Sequence, residues 1–214
     1  MNFLSLDDLP NKIAIFPLTG AVLFPKTQLP LNIFEPRYIR MLNDSLATKH
    51  KLIGMIQSNS DQDNSLKKVG CVGRITSYNE TDDQRYLITL NGIVRFEIDS
   101  ELNSTTPYRQ VTANYENYIT DLKPEDVANI DRKKLLSLIK RYLENKNLLA
   151  DWDIIQQTDT EQLINYSGVL VPFTPEEKQL LLEAKTIMGR CRALEALYQS
   201  YIFDASTDTS TQVH

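Results

Sequence analysis

Tyr86-Leu87-Ile88-Thr89-Leu90-Asn91-Gly92-Ile93-Val94-Arg95-Phe96-Glu97-Ile98 is the stretch on which the fold turns. Apolar and polar residues alternate on either side of Asn91-Gly92, the period of a strand that has one face against a core. Asn-Gly tolerates the positive φ that a two-residue type I′ turn needs at both positions, so the pattern predicts a hairpin reversing at 91–92. Val94, Phe96 and Ile98 then fall on the core face, and Ile93, Arg95 and Glu97 on the face toward water.

Outward from this pair, further short runs rich in β-branched and aromatic residues cover Ile13 to Phe16, Leu29 to Ile33, Leu52 to Ile56, Val69 to Ser77 and Arg109 to Tyr115. Pro, Gly, Asn and Asp separate them, and such regular short strands predict a closed or nearly closed β-barrel. One helix interrupts the series at 35–48. Pro36 suits a first helical position, Glu35 favours the positive helix end, and Tyr38, Met41, Leu42 and Leu46 recur at helical spacing.

Beyond about Ile119 the period changes from two to three or four. Leu135, Leu138, Ile139, Tyr142 and Leu143 form an apolar stripe opposite Lys133, Lys134, Lys140 and Arg141, which predicts a helix docked on a core with a solvated basic face. Thr158 with Glu161 has the form of a capping box, opening a second helix through Leu163, Ile164, Ser167 and Leu170. Thr174, Pro175 and Glu177 give three coincident start signals for a long last helix. Its seam is Leu180, Ala184, Ile187, Cys191, Leu194, Tyr198 and Tyr201. Packing of that seam within the chain favours a monomer, and the alternative is a dimer through the same helix. The fold class is therefore α+β: a barrel with one short helix at 11–118, a helical bundle at 119–202 and a disordered tail at 203–214.

Composition narrows the chemistry. Hydrophobic residues make up 42% and charged residues 24%, ordinary for a globular chain, and 23 Lys and Arg against 28 Asp and Glu leave a net charge of −5. A negative mean field works against a broad grip on phosphate backbones, so nucleic acid is disfavoured. An RNA-binding barrel remains the first alternative, using Lys67, Lys68, Arg74, Arg85 and Arg95 with Tyr78 and Tyr86 as stacking partners. Acidic Glu80, Asp82, Asp83 and Glu97 blunt that patch. Cys71 and Cys191 lie far apart, and with only His50 and His214 as histidines no metal site is expected; the thiols are expected to be buried and reduced. No basic leader and no run of about 18 apolar residues is present, and the expectation is a cytoplasmic protein without membrane contact.

No phosphate-binding glycine loop and no Gly-x-Ser-x-Gly elbow occurs, and no cofactor is expected. Asp7-Asp8, Asp82-Asp83 and Asp151 with Asp153 sit in polar segments where carboxylates form turns and caps. His50, at the end of the 35–48 helix, suits the helix dipole. The expectation is no enzyme, with a cryptic hydrolase as the second alternative.

Phe16-Pro17-Leu18, Leu23-Phe24-Pro25 and Leu29-Pro30-Leu31-Asn32-Ile33-Phe34-Glu35-Pro36-Arg37-Tyr38 together resemble the opening of the Lon protease N-terminal, or substrate-binding, domain family. Ile53-Gly54-Met55-Ile56, Val69-Gly70-Cys71-Val72-Gly73-Arg74-Ile75, Gly92-Ile93-Val94-Arg95-Phe96 and Pro175-Glu176-Glu177-Lys178-Gln179 follow in the family's order, so the resemblance runs from about 11 to 201. Lys26 stands where that family usually has Gly, and Asn32 where a His is common. The resemblance implies a PUA-like barrel joined to a helical bundle, and engagement of polypeptide segments or a partner protein in the manner of an adaptor or chaperone-like factor. It also implies a stand-alone member, because the chain ends where the ATPase and peptidase parts would begin. The expected site is an apolar groove between barrel and bundle, bordered by Phe16, Leu18, Phe24, Phe34, Arg37 and Tyr38. In it Phe34 and Tyr38 anchor the first helix, and Arg37 pairs with Glu35 or a neighbouring carboxylate.

Overall fold

The computed structural model describes residues 8–59 and 65–210, with side chains described as far as Phe203. Six strands come first: β1 (Lys12–Pro17), β2 (Gln28–Ile33), β3 (Leu52–Ile56), β4 (Val69–Glu80), β5 (Tyr86–Glu101) and β6 (Gln110–Asn114), with α1 (Pro36–Leu46) between β2 and β3. A 3-10 segment, Glu116–Leu122, leads to α2 (Arg132–Asn145), α3 (Trp152–Gln157), α4 (Thr160–Leu170), α5 (Pro175–Glu183) and α6 (Ile187–Ser210).

The hairpin expected at Asn91-Gly92 is absent. Both residues lie inside the single long strand β5, and neither has a positive φ. The chain reverses instead between β4 and β5 at Thr81–Arg85, where Gln84 adopts φ 63°. Gly92 is needed for a different reason. A Cβ there would lie 1.9 Å from the Phe24 carbonyl oxygen, because the 24–27 loop crosses directly over the strand. The loop is bound to it through Lys26 N donating to Gly92 O (2.9 Å) and Gly92 N donating to Thr27 O (2.8 Å). A side-chain-free position inside a strand marks just such a close backbone approach.

The length of β5 closes the sheet. Tyr86 to Asn91 pair with β2, most of the strand pairs with β4, and Glu97 to Glu101 pair with β6. β6 pairs with β1, β1 runs parallel to β3, and β3 pairs with β4. The ring β5–β4–β3–β1–β6–β5 therefore returns to its start, with β2 as a strand outside the ring. Val94, Phe96, Ile15, Ile53 and Val111 fill the core.

Arg95 overturns the two-faced reading of β5. It is fully buried, not on the water side. Its guanidinium binds both carboxylate oxygens of Asp121 (2.9 and 2.8 Å) and donates to the carbonyls of Leu182, Ala184 and Lys185. Those carbonyls lie at the C-terminal end of α5, where backbone acceptors lack helical partners. Glu125 meanwhile accepts from Ile187 N at the start of α6 (3.0 Å). The expected single long helix is thus two helices, broken at residues 184–186, because the barrel and its neighbouring segment satisfy the exposed backbone groups at the break. Thr174, Pro175 and Glu177 do open α5 with a complete capping box. Of the seam, Ile187, Cys191, Leu194 and Tyr198 are buried within the chain, whereas Leu180 is exposed.

One other start signal needs correction. α4 is capped by Asp159, which accepts from Gln162 N, while Thr158 ends the preceding α3; Glu161 reaches Lys26 instead of closing a box. The tail expected from 203 is helical backbone as far as Ser210, and residues 211–214 lie outside the described residues, as does Asp7.

Barrel and bundle meet through interlocking groups. Phe24, fully buried, lays its ring on Gly168 of α4, where a Cβ would stand 2.5 Å from the ring, and the Arg190 guanidinium covers it at 5.2 Å from the ring centroid. Gln57 of the barrel donates to Gln179 Oε1 (3.0 Å) and Pro175 O (2.9 Å) of α5. Lys26 takes φ 62°, a left-handed conformation that glycine adopts more easily, and from it the ammonium reaches Glu161 and the Lys123 carbonyl.

Candidate functional site

The junction between barrel and bundle, where a groove was expected, is occupied by the chain's own side chains. Phe24 lies inside it. Phe16 and Tyr38 are buried against each other, ring centroids 4.3 Å apart, and fix α1 to the barrel. Phe34 does not anchor that helix; it is 60% exposed, with the Arg85 guanidinium 5.7 Å from its ring centroid. Leu18 lies at the surface margin, and Arg37 is exposed and donates to Glu35 (2.9 Å). The six residues do not share one surface. Arg37 and Tyr38 do border a polar hollow of about 340 Å³ with Tyr108 and Arg109. There burial pushes the Tyr38 hydroxyl up, partly offset by Arg37. Burial and an O–H donated to Asp44 (2.9 Å) push the Tyr108 hydroxyl up to about 12.

Within the basic patch on the barrel, Arg95, Lys68 and Arg85 are each paired with a carboxylate. Arg95 is buried against Asp121, Lys68 binds Glu97 (2.9 Å) and Arg85 binds Asp83 (2.8 Å), while Tyr78 stands exposed. Asp151 caps α3 by accepting from Asp153 N and Ile154 N. Both cysteines are free and buried. Burial raises the Cys71 thiol strongly and pushes Cys191 up to about 11, so both stay protonated at neutral pH. Among the described residues no cluster of His, Cys, Asp and Glu fit for a metal occurs, and no helix is long and apolar enough to cross a membrane.

An apolar concavity lies within the bundle. It has a volume of about 560 Å³, and its walls come from α2 (Tyr142, Leu143), the 148–150 loop, α3 (Ile154, Ile155) and α4 (Leu163, Leu170), with Tyr198 of α6 also lining it. No charged residue lines it. Leu148, Leu149, Ile154 and Leu170 stand at 43%, 103%, 63% and 74% exposure, so four of the chain's exposed large apolar side chains converge on one hollow. Such convergence sets the hollow apart, since scattered single exposures are the ordinary case. Behind it Tyr142, Phe173, Tyr198 and Tyr201 form an aromatic cluster with centroids 5.2 to 6.3 Å apart, which stiffens the rear wall.

Of the hollow's exposed residues, the sequence pattern marks only Leu170, and that as part of a helical period. The available signal was Leu148-Leu149 followed by Trp152, Ile154 and Ile155 behind an Asp151 cap, apolar residues too few for a helical period to stand out.

The family model for the ATP-dependent protease La (LON) substrate-binding domain matches residues 12–199. A Lon protease of Flavobacterium johnsoniae is 29% identical over 203 residues, covering 89% of this chain and 24% of that protein. Lon protease 2 of Sorangium cellulosum is 34% identical over 197 residues, covering 87% and 24%. The chain spans about a quarter of the length of these curated relatives. Among solved structures, the N-terminal domain of a Mycobacterium avium complex Lon protease superposes with a TM-score of 0.65 at 16% identity, over 88% of this chain and 98% of that one. A Lon N-terminal domain protein from Xanthomonas campestris gives 0.63 at 19% identity, over 86% and 97%. These two support the fold.

Proposed function

The chain belongs to the Lon protease substrate-binding domain family, and from that premise we propose that it is a non-enzymatic recognition module that holds apolar segments of other polypeptides, as an adaptor or chaperone-like factor. The observation that carries the reading is the uncharged hollow in the bundle, ringed by Leu148, Leu149, Ile154 and Leu170. An apolar segment entering it releases water from both surfaces, and the neutral lining disfavours charged side chains, which would lose hydration without gaining a partner. Selection is then by exposed hydrophobicity, the feature that separates an unfolded chain from a folded one.

The test is binding of a fluorescently labelled, chemically unfolded protein to the full chain and to variants Leu170→Glu and Ile154→Glu. The expected result is a loss of affinity of tenfold or more with the melting temperature retained, because both positions are exposed. Tyr78→Ser, on an exposed barrel position, serves as the control. Unchanged binding in both bundle variants would remove the hollow from consideration.

A further inference from the structure

We propose that α3 is a movable wall of the bundle hollow, pinned at its C-terminal end by Arg132, and that it closes onto an apolar guest. The proposal rests on the reading of the hollow as a polypeptide site, and it adds a moving part to it. α3 is six residues long and none of them is buried, whereas α2 and α4 on either side each bury several. A helix this short has no stability of its own and exists only where its surroundings hold it.

The restraints on α3 are few and lie mainly at its ends. Asp151 caps the start. Arg132, on α2, holds the other end by donating to the carbonyls of Gln156 (2.8 Å) and Thr158 (2.7 Å) and to Thr160 Oγ1 (3.0 Å). Between these points Trp152 and Ile155 are half-buried against the core, and the Lys140 ammonium of α2 stands 6.0 Å from the Trp152 ring centroid. The approach from α2 passes through Asn147 at φ 51° and the wholly exposed Leu149. Ile154 and Leu149, both on the hollow, leave apolar surface in water that an apolar guest would cover, which drives closure onto the guest. Arg132 is a positioning residue: it touches no guest and limits how far the wall swings.

Two measurements on the full chain test this. In the free protein, hydrogen exchange is expected to be on the order of tenfold or more faster for the amides of α3 than for those of α2 and α4, as for a segment opening independently. Arg132→Ala should speed α3 further and affect α4 only at its first turn, where Arg132 also meets Thr160, with Arg132→Lys intermediate. Exchange of α3 as slow as that of α4, or equal acceleration of both helices by Arg132→Ala, overturns the proposal. The second measurement adds an end-blocked octapeptide of leucine, phenylalanine and glutamine. Trp152 is the chain's sole tryptophan, so its emission reports on α3 alone. A blue shift, reduced quenching by acrylamide and slowed α3 exchange support closure. Protection of α4 by the peptide with no change at Trp152 or α3 sinks the moving wall and leaves the binding site standing. No protection anywhere in the bundle sinks the binding site, while the exchange rates of the free chain still decide the motion of α3.

Discussion

The guanidinium of Arg95 and the carboxylate of Asp121 face each other in a two-pronged ion pair, 0% and 1% exposed, and Asp121 also accepts from Arg95 N (3.0 Å). Tyr118 covers the guanidinium at 4.3 Å from its ring centroid, and the remaining donors hold the end of α5. One side chain of the barrel thus ties together the 3-10 segment and the break between α5 and α6.

Removing one partner leaves the other charge buried and unpaired, which costs about 3 to 5 kcal/mol. Arg95→Met and Asp121→Leu should each lower stability by that amount in urea unfolding. The double variant should recover part of the loss, because no uncompensated charge then remains. Additive losses would show that the pair is not coupled.

Gly92→Ala places a methyl group 1.9 Å from the Phe24 carbonyl oxygen and forces the 24–27 loop off β5. The expected cost is about 3 kcal/mol. Gly20→Ala meets no atom within 4 Å and strains only φ 79°, so about 1 kcal/mol is expected there. Equal melting temperatures for the two variants would contradict the close approach at Gly92.

At Lys26 two effects separate. Lys26→Gly loses the bond to Glu161 and relieves the left-handed backbone, whereas Lys26→Ala loses the bond and keeps the strain. Thermal unfolding should place Lys26→Ala about 1 kcal/mol below Lys26→Gly. The reverse order would mean that the φ of Lys26 carries no cost.

Glu101 binds Arg109 through both oxygens (2.6 Å each), and that hydrogen bonding holds its carboxyl below the usual 4.5. A carboxyl lowered by folding stabilises the fold fully above its unfolded value, and the contribution fades as pH falls through the folded value. Glu97, lowered by Lys68 and Asn117, behaves alike. Glu101→Gln should therefore cost stability at neutral pH and little in acid, so its urea midpoint should converge on that of the unaltered chain as pH drops below about 4.5. A difference independent of pH would assign the loss to packing.

Features set by neighbours in the chain were legible in the sequence. The box of Thr174 and Glu177 closes within one helical turn, and a short run without polar residues, buried throughout, places β3 at Leu52–Ile56 without reference to any distant residue. The order of strands and then helices followed from the change of period near 119. Three features were decided elsewhere. Asn91-Gly92 carries a turn's composition, yet the 24–27 loop needs a flat, side-chain-free surface at Gly92, and β5 runs straight through. The periodicity across 175–201 is continuous, yet Arg95 and Glu125 bind the backbone on either side of residues 184–186 and split the helix. Charge at Arg95 reads as solvent because an isolated charge cannot be buried, and only the arrival of Asp121 and the α5 carbonyls makes burial affordable. The bundle hollow belongs with these, since its walls are gathered from α2, α3, α4 and α6, and no single segment bears its pattern. Local propensity and period are written along the chain; which backbone groups a distant side chain will satisfy is settled only when the chain has packed.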